Sequence, residues 1–276
     1  MPLASSNRRD GRIAAAFRAA RDARRRALVP FVTVGFPAPG ETPAVLDALV
    51  TGGADLLELG IPFSDPIADG PTIQATYQKA LECGITAAAA LETVASFRRR
   101  SDLPIVLMTY LNPVLAYGEA RFFRDARTAG VDGILVTDLP ADERADFWDG
   151  AEASGLDRIL LVAPTTPAER LGHVLSRASG FVYCLTRTGV TGRGKDFAQN
   201  LGEQVAAVRG HVDLPIAAGF GIRSEADVRS LPAALDGVVI GARLMEILME
   251  APDVARGCAD LEAFLLSVGT ALRRPS

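Results

Sequence analysis

"DLLELGIPFSDPIADGPTIQATYQKALE", Asp55 to Glu82, reads as an apolar run, a restrained loop and a helix in immediate succession. The run "DLLELG" has the length and apolar density of a buried strand, and a helix begins beyond Pro71. Between them the chain is unusual. The fourteen residues from Glu58 to Pro71 hold three acids (Glu58, Asp65, Asp69) and three prolines (Pro62, Pro66, Pro71). Loops rarely need that much restraint, so the carboxylates there require an explanation.

Working outward, the same unit recurs along the chain. Apolar runs appear at 27–34 ("ALVPFVTV"), 55–60, 105–110 ("IVLMTY"), 133–138 ("GILVTD"), 159–164 ("ILLVAP"), 181–186 ("FVYCLT"), 214–220 ("LPIAAGF") and 237–242 ("GVVIGA"), with helical segments between them. Strands apolar at nearly every position are covered on both faces, as in parallel sheets flanked by helices. Eight such units predict a single (β/α)8 barrel of the TIM type spanning 1–276, within the size range of one domain. Residues 1–26 read as an N-terminal helical extension whose Ile13 and Phe17 close one end of the barrel. Thr42 with Pro43, Thr166 with Pro167 and Glu169, and Ser224 with Asp227 have the spacing of helix starts. The connections after strands two and six are longer than the rest. The second, "RTGVTGRGKDFAQN" (187–200), has glycines at 189, 192 and 194. Both leave the C-terminal ends of their strands, the face on which barrel chemistry gathers.

Composition excludes several classes. A net charge of -4 gives no footing for nucleic acid. The three cysteines, Cys83, Cys184 and Cys258, have no metal spacing or disulfide framework and fit a reducing, cytoplasmic location. No apolar run approaches the ~20 residues of a membrane span. The only lysines, Lys79 and Lys195, lie outside the strands, against imine chemistry, and His173 and His211 have no partner ligands for a metal. Carboxylates remain. Glu58 sits among leucines, where it is either paired with an arginine or desolvated into a general acid or base. Asp69 either caps a turn or supplies a second, differently tuned carboxylate as its loop closes. Asp138 closes strand four and orients either a loop or a substrate. Glycines beyond strands six, seven and eight, at 188–192, 219–221 and 241, together with the helix pattern of "GARLMEI", suit a phosphate held by backbone amides. Phe31, Met108, Tyr110, Leu135, Tyr183, Phe220 and Val239 either fill the barrel or line an apolar slot at its open end.

These motifs, "VPFVTVGFP", "GADLLELGIPFSDPIADGPTIQ", "VLMTYLNP", "ILVTDLP", "LVAPTTP", "YCLTRTGVTG" and "GFGI", closely resemble those of the tryptophan synthase alpha chain family over almost the whole sequence. The resemblance implies retro-aldol cleavage of indole-3-glycerol phosphate to indole and glyceraldehyde 3-phosphate. It implies that Glu58 is the catalytic glutamate and that Asp69 contacts the indole nitrogen. By the same match, Gly192, Gly221, Gly241 and Ala242 hold the phosphate, Tyr183, Phe220 and Leu135 line the pocket, and Thr191 belongs to loop closure. It implies no cofactor in this chain, and a pyridoxal-phosphate beta chain as partner in an alpha2-beta2 heterotetramer. Two departures stand out. Ala242 replaces a serine common in relatives, removing a hydroxyl; Arg243 and Arg193 are either solvated or compensate for it by charge. Phe36 stands where an acidic residue is common.

Overall fold

Two sets of apolar residues, interleaved along each strand, organise the molecule. The structure is a computed structural model describing residues 11–185, 195–219 and 221–274, with 195–199 described by backbone alone. Its strands are β1 (Ala27–Thr33), β2 (Leu57–Gly60), β3 (Ile105–Thr109), β4 (Gly133–Val136), β5 (Asp157–Arg158), β6 (Leu160–Val162), β7 (Val182–Leu185), β8 (Ile216–Gly219) and β9 (Gly237–Ile240). All pair in parallel, in the order β5-β4-β3-β2-β1-β9-β8-β7-β6. The two ends of that order are neighbouring pieces of one strand. Ile159 lies between them and donates its N–H to the Ile134 carbonyl at 2.9 Å. The sheet therefore closes as the expected eight-stranded barrel, with its fifth strand beginning two residues before the apolar run and interrupted once.

Because side chains alternate across a strand, closure separates inside from outside. Val29, Leu56, Val106, Leu135, Ile159, Phe181, Ala217 and Val239 form one interior cluster. Their neighbours Leu28, Leu57, Leu107, Ile134, Leu160, Val182, Ala218 and Val238 belong to the shell between barrel and helices. The helices are α1 (Arg12–Asp22), α2 (Thr42–Thr51), α3 (Pro71–Glu82), α4 (Ala87–Arg98), α5 (Leu111–Tyr117), α6 (Glu119–Ala129), α7 (Ala145–Ala153), α8 (Ala168–Leu175), α9 (Lys195–Arg209), α10 (Glu225–Ser230), α11 (Ala242–Glu250) and α12 (Val254–Ala271).

Helix α1 does what its pattern suggested. Ile13, Phe17 and Ala20 are buried and join the interior cluster from below. The Phe17 and Phe181 rings lie 5.4 Å apart. Gly237 makes room, since a Cβ there would be 2.8 Å from the Phe17 ring, and Gly133 does the same for Ile13 at 3.1 Å. Two expected caps are corrected. Thr42 is already inside α2 and spends its hydroxyl accepting from Gly35 N–H at 2.9 Å, while Thr166 accepts from Ala163 N–H at 3.1 Å. Each hydroxyl closes the strand-to-helix turn upstream of its helix. Ser224 does cap α10, accepting from Asp227 N–H at 3.3 Å.

The N-terminal face is tied by a repeated device absent from the sequence reading. Asp55, Asp132 and Asp236 each accept a backbone N–H from an adjacent strand, Leu28 (2.8 Å), Ile105 (2.9 Å) and Ile216 (3.0 Å). Each is also paired with arginine: Arg25 with Asp55, Arg12 and Arg98 with Asp132, Arg209 and Arg274 with Asp236. Conventional barrels keep stability at this face and chemistry at the other. Among the described residues no single helix is long and apolar enough to cross a membrane.

Candidate active site

The opposite face collects the acids singled out in the sequence. Glu58 points into the barrel from β2, its Cα in register with Phe31 on one side and Val106 on the other. It is 1 % exposed, and no arginine pairs with it among the described residues. Burial, reinforced by the charge on Asp69, pushes its carboxyl up to about 8. At neutral pH it therefore carries a proton.

Asp69 occupies a different environment on the loop after β2. It does not cap α3, whose N-cap is Gly70 and whose first residue is Pro71. Instead, Asp69 Oδ2 accepts the Tyr110 hydroxyl at 2.6 Å. The same phenol accepts the Ala68 N–H at 3.1 Å, and its ring lies 5.1 Å from that of Phe63. Gln74 Nε2 donates to the Asp69 carbonyl at 2.8 Å. The loop is thus fastened near Asp69 both to the residue that follows β3 and to α3. Burial pushes the Asp69 carboxyl up to about 6, with the Tyr110 hydrogen bond working against the rise. Near pH 7 the pair comprises one protonated and one ionised carboxyl.

Glycines at the strand ends set the shape of the mouth. A Cβ at Gly60 would meet the Phe31 ring at 2.6 Å, and one at Gly241 would meet it at 3.1 Å, so that ring lies across two glycine gaps. The Tyr183 phenol likewise lies directly over Gly219. Leu135 and Val239 are sealed in the interior cluster, with Met108 and Tyr183 half-buried against it. Leu135 and Val239 thus form the floor, and Phe31, Met108, Tyr110 and Tyr183 the wall above it. Tyr77, which the sequence reading did not nominate, also enters this mouth, its hydroxyl 2.7 Å from where a Gly60 Cβ would lie.

Gly221 follows β8 in a left-handed conformation (φ 64°), and a Cβ there would meet nothing within 4 Å. Backbone conformation, not crowding, calls for glycine. Gly241 caps α11 and Ala242 is its first residue. The first intrahelical bonds run from Leu244 and Met245 to the Gly241 carbonyl at 2.9 and 3.1 Å, so the amides before them face outward, as at an anion-binding helix start. Of the two readings of Arg243, the structure does not favour compensation for the missing hydroxyl. Its Nη1 turns along its own helix to Glu246 and Glu250, 3.3 Å from each. Gly192, Thr191, Arg193 and Phe220 lie outside the described residues. Asp138 has a structural task, accepting the Leu111 N–H that opens α5 at 2.8 Å. His173, His211 and Lys79 are exposed.

Comparison with known proteins agrees with this arrangement. The family model described as tryptophan synthase alpha chain matches residues 17–270. The tryptophan synthase alpha chain of Halorhodospira halophila is 46 % identical over 264 residues, covering 95 % of both chains. That of Laribacter hongkongensis is 46 % identical over 271 residues, covering 96 % of this chain and 99 % of the relative. Among solved structures, the alpha chain of Legionella pneumophila superposes with a TM-score of 0.87 at 33 % identity, covering 95 % of this chain and 97 % of that one. A chain of Mycobacterium tuberculosis tryptophan synthase superposes with a TM-score of 0.86 at 35 % identity, covering 95 % and 98 %.

Proposed function

The chain belongs to the tryptophan synthase alpha chain family, and from that membership we propose how its barrel mouth performs the family's retro-aldol cleavage of indole-3-glycerol phosphate. Indole is a poor carbanion leaving group until its C3 is protonated. Glu58, holding a proton at neutral pH, delivers it there. The resulting carboxylate then takes the proton of the C3′ hydroxyl as the C3–C3′ bond breaks. The bonding electrons return to the ring, the hydroxyl carbon becomes the aldehyde of glyceraldehyde 3-phosphate, and Glu58 ends protonated. Asp69, ionised and held by Tyr110, stabilises the positive character that develops at the indole N–H. The observation that carries this reading is a buried, unpaired Glu58 in the same mouth as an Asp69 held by Tyr110, environments that push the two carboxyls to about 8 and about 6.

The phosphate is assigned to the amides around Gly221, Gly241 and Ala242, with Gly192 completing the site, and Thr191 to closure of the loop over it. The indole is assigned to the slot of Phe31, Met108, Tyr110, Leu135, Tyr183, Phe220 and Val239. The chain needs no cofactor of its own. Its partner is the pyridoxal-phosphate beta chain, in an alpha2-beta2 assembly that consumes indole as it is released. The reading further treats 1–276 as one cytoplasmic domain with 1–26 as its helical extension. Glu58→Gln keeps the side-chain size and removes proton exchange, so single-turnover indole release at saturating substrate should fall at least ~100-fold. Near-normal release from the folded variant would sink the assignment.

A further inference from the structure

Two polar atoms in the mouth, Glu58 Oε1 and Tyr77 Oη, are fully buried with no hydrogen-bond partner among the described residues. Tyr77 is 0 % exposed on α3. Its neighbour Thr76 fixes the helix to β1 through a 2.7 Å hydroxyl contact with Thr33. The phenol consequently reaches the end of β2, its Oη 2.7 Å from where a Gly60 Cβ would stand. Gly60 and Glu58 are two residues apart on one strand, so both positions face the interior, about 6–7 Å apart. The two groups are near enough for a charge on Glu58 to act on the phenol, and each has a polar atom there left without a partner. A buried hydroxyl with no partner costs about 1–3 kcal/mol, and protein interiors almost always avoid it. The groups facing Tyr77 are Asp69, Tyr110 and Glu58, and burial, reinforced by the charge on Asp69, keeps the phenol protonated. It is a permanent donor.

We propose that Tyr77 Oη and Glu58 Oε1 together grip a single hydroxyl on the glycerol chain of the substrate, making Tyr77 a specificity-determining residue for the polyol part of that ligand. This rests on the reading of Glu58 given above. The phenol donates to the hydroxyl oxygen, and the hydroxyl donates to the Glu58 carboxylate formed after C3 is protonated. As Glu58 removes that proton, the phenol stabilises the charge developing on the oxygen that becomes the carbonyl. Tyr77 keeps its own proton throughout, so the balance of the cleavage is unchanged.

Tyr77→Phe keeps the ring and deletes only the hydroxyl. One hydrogen bond of this kind is worth roughly a tenfold loss in kcat/KM. The control ligand is the indole-propyl phosphate that lacks both chain hydroxyls. Its affinity by calorimetry should stay within about twofold, and the melting temperature should not fall. A kcat/KM within twofold of the parent, or equal weakening of both ligands, would overturn the proposal. Glu58→Gln in the same assay separates the two readings. An inactive Gln variant beside a normal Phe variant removes Tyr77 alone, whereas normal activity in both removes the assignment of Glu58 as well.

Discussion

Glu58 keeps its proton up to about pH 8 in the folded chain, whereas an ordinary glutamate releases it near 4.5. Between those values the folded state binds the extra proton, so stability falls as pH rises through that window. Glu58→Gln removes this dependence. Its stability advantage over the parent should grow between pH 5 and pH 8 by a few kcal/mol, an order-of-magnitude figure, when both are unfolded in urea. A constant difference would mean that Glu58 is not held neutral by burial. Tyr110 offers a second test at this scale. Its hydroxyl lowers the Asp69 pKa, so Tyr110→Phe should raise it above about 6 and weaken cleavage several-fold near pH 7. The acid limb of the pH profile reads the shift directly, and an unmoved limb would separate Asp69 from Tyr110.

Helix α1 contributes as a plug whose apolar side chains complete a barrel interior that eight short strands leave open at the bottom. Phe17→Ala should cost about 3–5 kcal/mol, because its ring is buried against Phe181 and Gly237. Urea denaturation of this variant checks this, and a loss below about 1 kcal/mol would show that the plug is dispensable. The pairing of Ile13 with Phe17 was legible in the sequence, as were all eight strand runs, because apolar density reports burial directly. The threonine caps were misread because Thr42 and Thr166 have the right spacing for a helix start and spend their hydroxyls on the preceding turn. The aspartate ties of Asp55, Asp132 and Asp236 were not legible, since an acid that bonds an adjacent strand's N–H is recognisable only after the barrel has closed. Glu58 and Asp69 could be nominated from setting and loop position. Tyr77 could not, because an aromatic on an amphipathic helix ordinarily signals core packing.

Across the whole molecule, stability devices and chemistry occupy opposite ends of one barrel, and the loop after β2 joins the chemical end to the surface where a partner can act. Ile67, on that loop two residues before Asp69, is 84 % exposed. Docking of the beta chain there would act on the loop that carries Asp69 and couple assembly to cleavage. Ile67→Asp should therefore weaken the titration of cleavage by purified beta chain at least roughly tenfold, about what burying one such side chain supplies. An unchanged titration would place the interface elsewhere. The central claim is that Glu58 arrives at the reaction holding the proton it must deliver. Its most direct test is kcat/KM from pH 6.5 to 10, above the titration of the substrate phosphate. The account predicts a level profile that falls above about pH 8, approaching a tenfold loss per pH unit as the free enzyme loses its acid; a profile flat to pH 10 in a chain that remains folded would contradict it.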